Sequence, residues 1–104
     1  MDVPRAATRD PTAAVRRIVL GKLAGTPCRV YLFGSFARHT AQRFSDIDVA
    51  IDGPGPTSPI LLAEIREALE ESLVPYNVDL VDLHRAGTAL RDVVRQEGIL
   101  WTER

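Results

Sequence analysis

Apolar residues Val15, Ile18, Val19 and Leu23 recur at i, i+3, i+4 and i+8, which places them on one helical face. Asp10 or Thr12 can cap that helix, and it is predicted to run to about Gly25 before Thr26-Pro27 stops it. Arg29-Val-Tyr-Leu-Phe33 is a short β-branched and aromatic run, read as a buried strand. Gly34-Ser35 turns the chain into a short helix, about Ser35 to Ala41, and Asp46 to Ile51 forms a second strand. The stretch Asp52 to Pro59 is a loop by its glycine and proline content, with Ser58 as N-cap and Pro59 at the first helical position. The next helix is predicted to reach about Leu73, with Leu61, Leu62, Ile65 and Leu69 facing inward, before Pro75 breaks it. Asn77 to Leu83 is the third strand. A last helix over Thr88–Glu97 buries Leu90, Val93 and Val94 and closes at Gly98, and Ile99-Leu100-Trp101 returns to the core or to a partner.

The order α-β-α-β-α-β-α predicts an α/β domain, with helices packed on a small mixed sheet of at least three strands. Residues 1–11 read as a flexible N-terminal tail and 12–104 as one domain. The sequence has no internal repeat.

Composition narrows the function less than the pattern does. Hydrophobic residues are 45% and charged residues 26% of the chain, ordinary values for a globular domain. A net charge of −1 gives no global field for a long nucleic acid, although twelve of the thirteen cations are arginine, which suits phosphate. No apolar run is long enough to span a membrane, and the first residues lack the apolar core of a secretion signal, so a cytoplasmic setting is expected. The single cysteine, Cys28, lies in an apolar run and reads as a buried free thiol.

The chemistry starts with carboxylates. Asp46 and Asp48 are two apart on a predicted strand, so both leave one face of the sheet. Held close they repel, and a divalent cation would relieve the repulsion; an all-oxygen donor set favours Mg²⁺, with Mn²⁺ as the alternative. Ahead of them, Gly34-Ser35 follows an apolar strand and opens a helix. A glycine there lets backbone approach a phosphate, the helix start presents unpaired N–H groups, and the Ser35 hydroxyl and Arg38 can reach the same anion.

Gly34-Ser35, ten residues, then Asp46-Ile47-Asp48 resembles the signature of the nucleotidyltransferase superfamily related to DNA polymerase beta. The fuller run LFGSFARHTAQRFSDIDVAI is similar to its minimal nucleotidyltransferase branch, except that His39 stands where that branch commonly has glycine. The resemblance implies a polymerase beta-like fold, an enzyme transferring a nucleoside monophosphate from ATP or another triphosphate, and a third carboxylate on a neighbouring strand. Asp79 fits that place better than Asp82, and the two lie on opposite strand faces, so only one can serve. It further implies two Mg²⁺ ions held by Asp46, Asp48 and Asp79, about 3.5–4 Å apart, with Asp79 nearest the acceptor. Gly34, Ser35 and Arg38 would then bind the phosphates. Arg43 is a further candidate for the triphosphate. His39, His84-Arg85, Asp52, Asp92 and the helix glutamates Glu64, Glu67, Glu70 and Glu71 read as surface groups.

Only 22 residues follow Asp82, whereas larger relatives carry extra domains for their acceptors, so a partner protein is expected to complete the site. Minimal nucleotidyltransferases of this kind resemble antitoxins paired with HEPN ribonuclease toxins. The similarity implies a hetero-oligomer in which AMP passes to a tyrosine of the toxin. Two other readings stay open: a non-catalytic nucleotide-binding or capping subunit, and one subunit of a small-molecule nucleotidyltransferase.

Overall fold

The computed structural model describes residues 10–102; most of the stretch read as an N-terminal tail lies outside them. Helix α1 spans Pro11–Lys22 and strand β1 Arg29–Phe33. A one-turn helix α2 (Ser35–Arg38) leads to β2 (Ile47–Asp52), and helix α3 (Pro59–Glu70) leads to β3 (Val78–Asp82). Helix α4 (Thr88–Glu97) is followed at once by a two-residue strand β4, Ile99–Leu100.

The strands form one mixed sheet in the order β3-β2-β1-β4. β2 runs antiparallel to β1 and parallel to β3, and β4 lies antiparallel on the far side of β1. Helices α1 and α3 cover one face. Their Val15, Val19, Leu62, Ile65 and Leu69, with Leu23 just past the end of α1, pack on Val30, Leu32, Ile47, Val49, Ile51 and Leu80. The alternate positions Phe33 and Ala50 meet Val94 and Leu90 of α4 in a smaller cluster on the opposite face. The sheet therefore has one fully covered face and one that α4 covers in part.

Helix ends come earlier than the pattern predicts, for local reasons. α1 stops at Lys22 because Gly25 takes a left-handed φ of 84° and the Thr26 hydroxyl donates to Leu23 O at 2.6 Å. α3 stops at Glu70 because the Ser72 hydroxyl donates to Leu69 O at 2.6 Å, competing with the backbone, so Leu73 is left 98% exposed. Its other end forms as predicted, with Ser58 Oγ accepting from Leu61 N–H at 3.4 Å and Pro59 opening the helix. Asp46 stands one residue ahead of β2, and Asp52, expected in the loop, ends that strand. Val93, expected in the core, faces outward, and Cys28 is only half-buried at the rim of the main core. Trp101 does return to the core, donating its backbone N–H to Val30 O at 2.8 Å. No helix of the described residues is long and apolar enough to cross a membrane.

Candidate active site

β1 ends, and β2 and β3 begin, at the same end of the sheet, because β1 is antiparallel to β2 and β2 parallel to β3. Gly34 leaves β1 at φ 76°, ψ −156°, a region open to glycine and strained for other residues. A Cβ at this position would collide with the Asp48 carboxylate, so the glycine serves both the backbone and the acid beside it. Ser35 then opens α2, whose Ala37 and Arg38 N–H groups bond back to Gly34 O at 3.1 Å. The N–H groups of the first turn before them have no such intrahelical partner and are directed off the helix start.

Asp48 sits on β2 directly between Phe33 of β1 and Asp79 of β3. Being in register on parallel neighbours, Asp48 and Asp79 share a face, the one α4 partly covers, since Val49 and Leu80 beside them belong to the opposite cluster. Partial burial pushes the Asp48 carboxyl above its ordinary range, and the charges of Asp79 and then Asp46 push it further, against a smaller opposing pull from Arg38. Like charges facing each other across strands are destabilising unless something offsets them. Asp79 and Asp46 thus both act on Asp48, though among the described residues no three acid, histidine or cysteine side chains close around a single point as they stand. The donor set is all oxygen, its field is negative, and Gly34 leaves room beside the Asp48 carboxylate; these residues fit a divalent cation.

Arg38 lies close enough to lower the Asp48 carboxyl, and its Nη1 is paired with Glu97 Oε1 of α4 at 3.2 Å. Nothing in the sequence marked Glu97 as its partner, since 59 residues separate the two. Asp82 is only 6% exposed, and its oxygens accept from Thr57 N–H at 2.9 Å, from His84 N–H at 3.0 Å and from the Arg85 guanidinium. Arg85 also donates to Thr57 O at 3.0 Å, and His84 Nε2 lies 2.6 Å from Gly53 O. His84 and Arg85, read from sequence as a turn surface, thus tie the Gly53–Ser58 loop to the end of β3. Asp82 is committed to that lock, whereas Asp79 is exposed beside Asp48. Arg43 lies over the ring of Phe44, its guanidinium carbon 5.6 Å from the ring centroid. His39 closes α2 in the left-handed region, at φ 60°, ψ 33°.

The family model for polymerase beta nucleotidyltransferases matches residues 24–104, which contain every group of this site. Among curated relatives, the protein adenylyltransferase MntA of Shewanella oneidensis is 41% identical over 73 residues, covering 69% of this chain and 52% of that protein. The chain thus spans about half the length of that relative. Among solved structures, a chain of a toxin–antitoxin crystallised with AMP-PNP superposes with a TM-score of 0.69 at 30% identity, over 86% of this chain and 73% of that one. A chain from the complex of the tri-AMPylated Shewanella oneidensis HEPN toxin with its MNT antitoxin gives a TM-score of 0.66 at 25% identity, over 93% and 73%. Enzymes of this family generally use divalent metals. Glycine-serine turn, register-paired acids, fold and matched length lead to one assignment: this chain belongs to the polymerase beta nucleotidyltransferase family.

Proposed function

We propose that the chain is the nucleotidyltransferase antitoxin of a HEPN toxin pair, moving AMP from ATP to a tyrosine hydroxyl of the toxin with Mg²⁺. The observation that carries the reading is the Asp48–Asp79 pair, two like charges held in register beside a turn where a side chain at Gly34 would strike the Asp48 carboxylate. Likeness to the MntA adenylyltransferase and to chains of HEPN toxin complexes supports a HEPN toxin as the acceptor.

Asp46, Asp48 and Asp79 would hold two Mg²⁺ ions. When bound, these ions lower the pKa of the acceptor hydroxyl and offset charge on the departing pyrophosphate. Asp79, the exposed acid, accepts the tyrosine proton as that oxygen attacks the α-phosphorus. The bond from the α-phosphorus to the bridging oxygen breaks, and pyrophosphate leaves. Ser35 and the N–H groups at the start of α2 donate to the phosphates, and Arg38 exchanges Glu97 for the same anion. Most of the rate then comes from positioning and charge stabilisation. Incubating the chain with its HEPN partner and ATP labelled at the α-phosphate tests the reading. Labelled toxin is expected, lost on Tyr→Phe substitution of the acceptor. Label in a small molecule, or no transfer at all, sinks it.

A further inference from the structure

Phe44 is 89% exposed, against the strong tendency of phenylalanine to be buried. It is not a loose side chain on a frayed segment. Ser45 N–H donates to Gln42 O at 3.1 Å and Gln42 N–H donates to Ser45 Oγ at 2.8 Å, so the turn is closed from both ends. That turn presents Arg43 and Phe44 together. It borders a cavity of about 190 Å³ lined by Arg43, Phe44, Ser45, Asp46, Tyr76 and Asn77. Tyr76 is fixed edge-on against Phe36, with ring centroids 5.4 Å apart and an interplanar angle of 84°. Phe36 directly follows Ser35. The cavity therefore touches the acid site at Asp46, and its Tyr76 contacts Phe36, the residue after Ser35.

We propose that this cavity takes the base of the nucleoside triphosphate, with Phe44 as the stacking platform. The inference rests on the nucleotidyltransferase reading and says where the nucleoside end lies. A triphosphate seated on Ser35 and the acids projects its nucleoside away from them, and this cavity shares Asp46 with the site. Its volume suits one planar ring system rather than a peptide segment. An exposed aromatic face beside a guanidinium is the chemistry that holds a base by stacking. Ser45 and Asn77 supply hydroxyl and amide groups for the polar edge of the base. A larger cleft of about 450 Å³ next door shares Tyr76 and Asn77 but reaches none of the three acids.

Calorimetric titration with Mg²⁺ separates base from phosphates, using ATP and inorganic tripolyphosphate as the two probes. Phe44→Ala is expected to weaken ATP about tenfold while leaving tripolyphosphate unchanged, since base stacking on an aromatic residue is worth that order of affinity. Phe44→Tyr is expected to keep wild-type ATP affinity, and thermal melts of both variants check that the turn still folds. Equal weakening of both probes, or unchanged ATP affinity, overturns the proposal. Unchanged ATP affinity with reduced transfer to the toxin assigns the ring to the acceptor instead. A wild-type chain that binds neither probe removes the nucleotidyltransferase reading itself.

Discussion

His39 is the only non-glycine residue with positive φ among those described, and it stands where the minimal nucleotidyltransferase pattern commonly has glycine. The geometry gives the reason for that preference. A Cβ in the left-handed region crowds its own backbone, whereas glycine enters at no steric penalty. His39→Gly is therefore expected to stabilise the domain by about 1 kcal/mol, raising its melting temperature by a few degrees with no change in transfer. A melting temperature that stays put or falls would mean that the imidazole is held by a contact worth as much as the strain. At this scale most of the site is legible in the sequence, because Gly34, Ser35, Asp46 and Asp48 lie on one short segment whose spacing carries the chemistry. What spacing cannot supply is a partner from elsewhere in the chain. Glu97 meets Arg38, and Asp79 meets Asp48, only because the fold brings them together.

On β3 the two acids, three residues apart, take opposite faces. Asp79 leaves the strand on the Asp48 side, while Asp82 turns inward and accepts two backbone N–H groups and Arg85. Asp82→Ala leaves the buried Thr57 N–H and the part-buried His84 N–H without their acceptor and is expected to destabilise the domain by about 2–3 kcal/mol. Its transfer activity per folded molecule should remain near wild type. Asp79→Asn should do the reverse, keeping the melting temperature and losing transfer by orders of magnitude. Melts and labelling on the two variants side by side check the assignment, and exchanged phenotypes would exchange the roles. The order and type of the three main strands and the three long helices are legible from periodicity and turn residues. The helix ends are less so, since Ser72 and Thr26 stop their helices with side-chain bonds that propensity does not weigh. β4 has only two residues, too few for alternation to register, and exists because β1 offers Tyr31 and Leu32 as partners.

For the whole domain, the division of helices between faces decides what the sheet can do. An apolar stripe shows that a helix packs, but not on which side, so the pairing of α1 with α3 and the lone position of α4 emerge only from the fold. The consequence is a half-open face where Asp48 sits partly buried, with Asp79 and Asp46 close by. Its carboxyl titrates above the ordinary value of 3.8, so the folded state binds its proton more tightly than the unfolded chain does. Ionised Asp48 therefore opposes folding at neutral pH, and the penalty fades as pH falls through the raised folded value toward 3.8. Asp48→Asn removes the penalty. Without metal, the variant is expected to melt at or above wild type at pH 7, with the difference vanishing in acid. Mg²⁺ with ATP should raise the wild-type melting temperature, because ligands that bind only the native state stabilise it. The gain should shrink in Asp48→Asn, and transfer to the proposed toxin acceptor should fall by orders of magnitude. Melts at neutral and acid pH, with and without Mg²⁺–ATP, measure both halves of that exchange. A variant that melts below wild type without ligand yet transfers in proportion to its folded fraction would make Asp48 a structural acid.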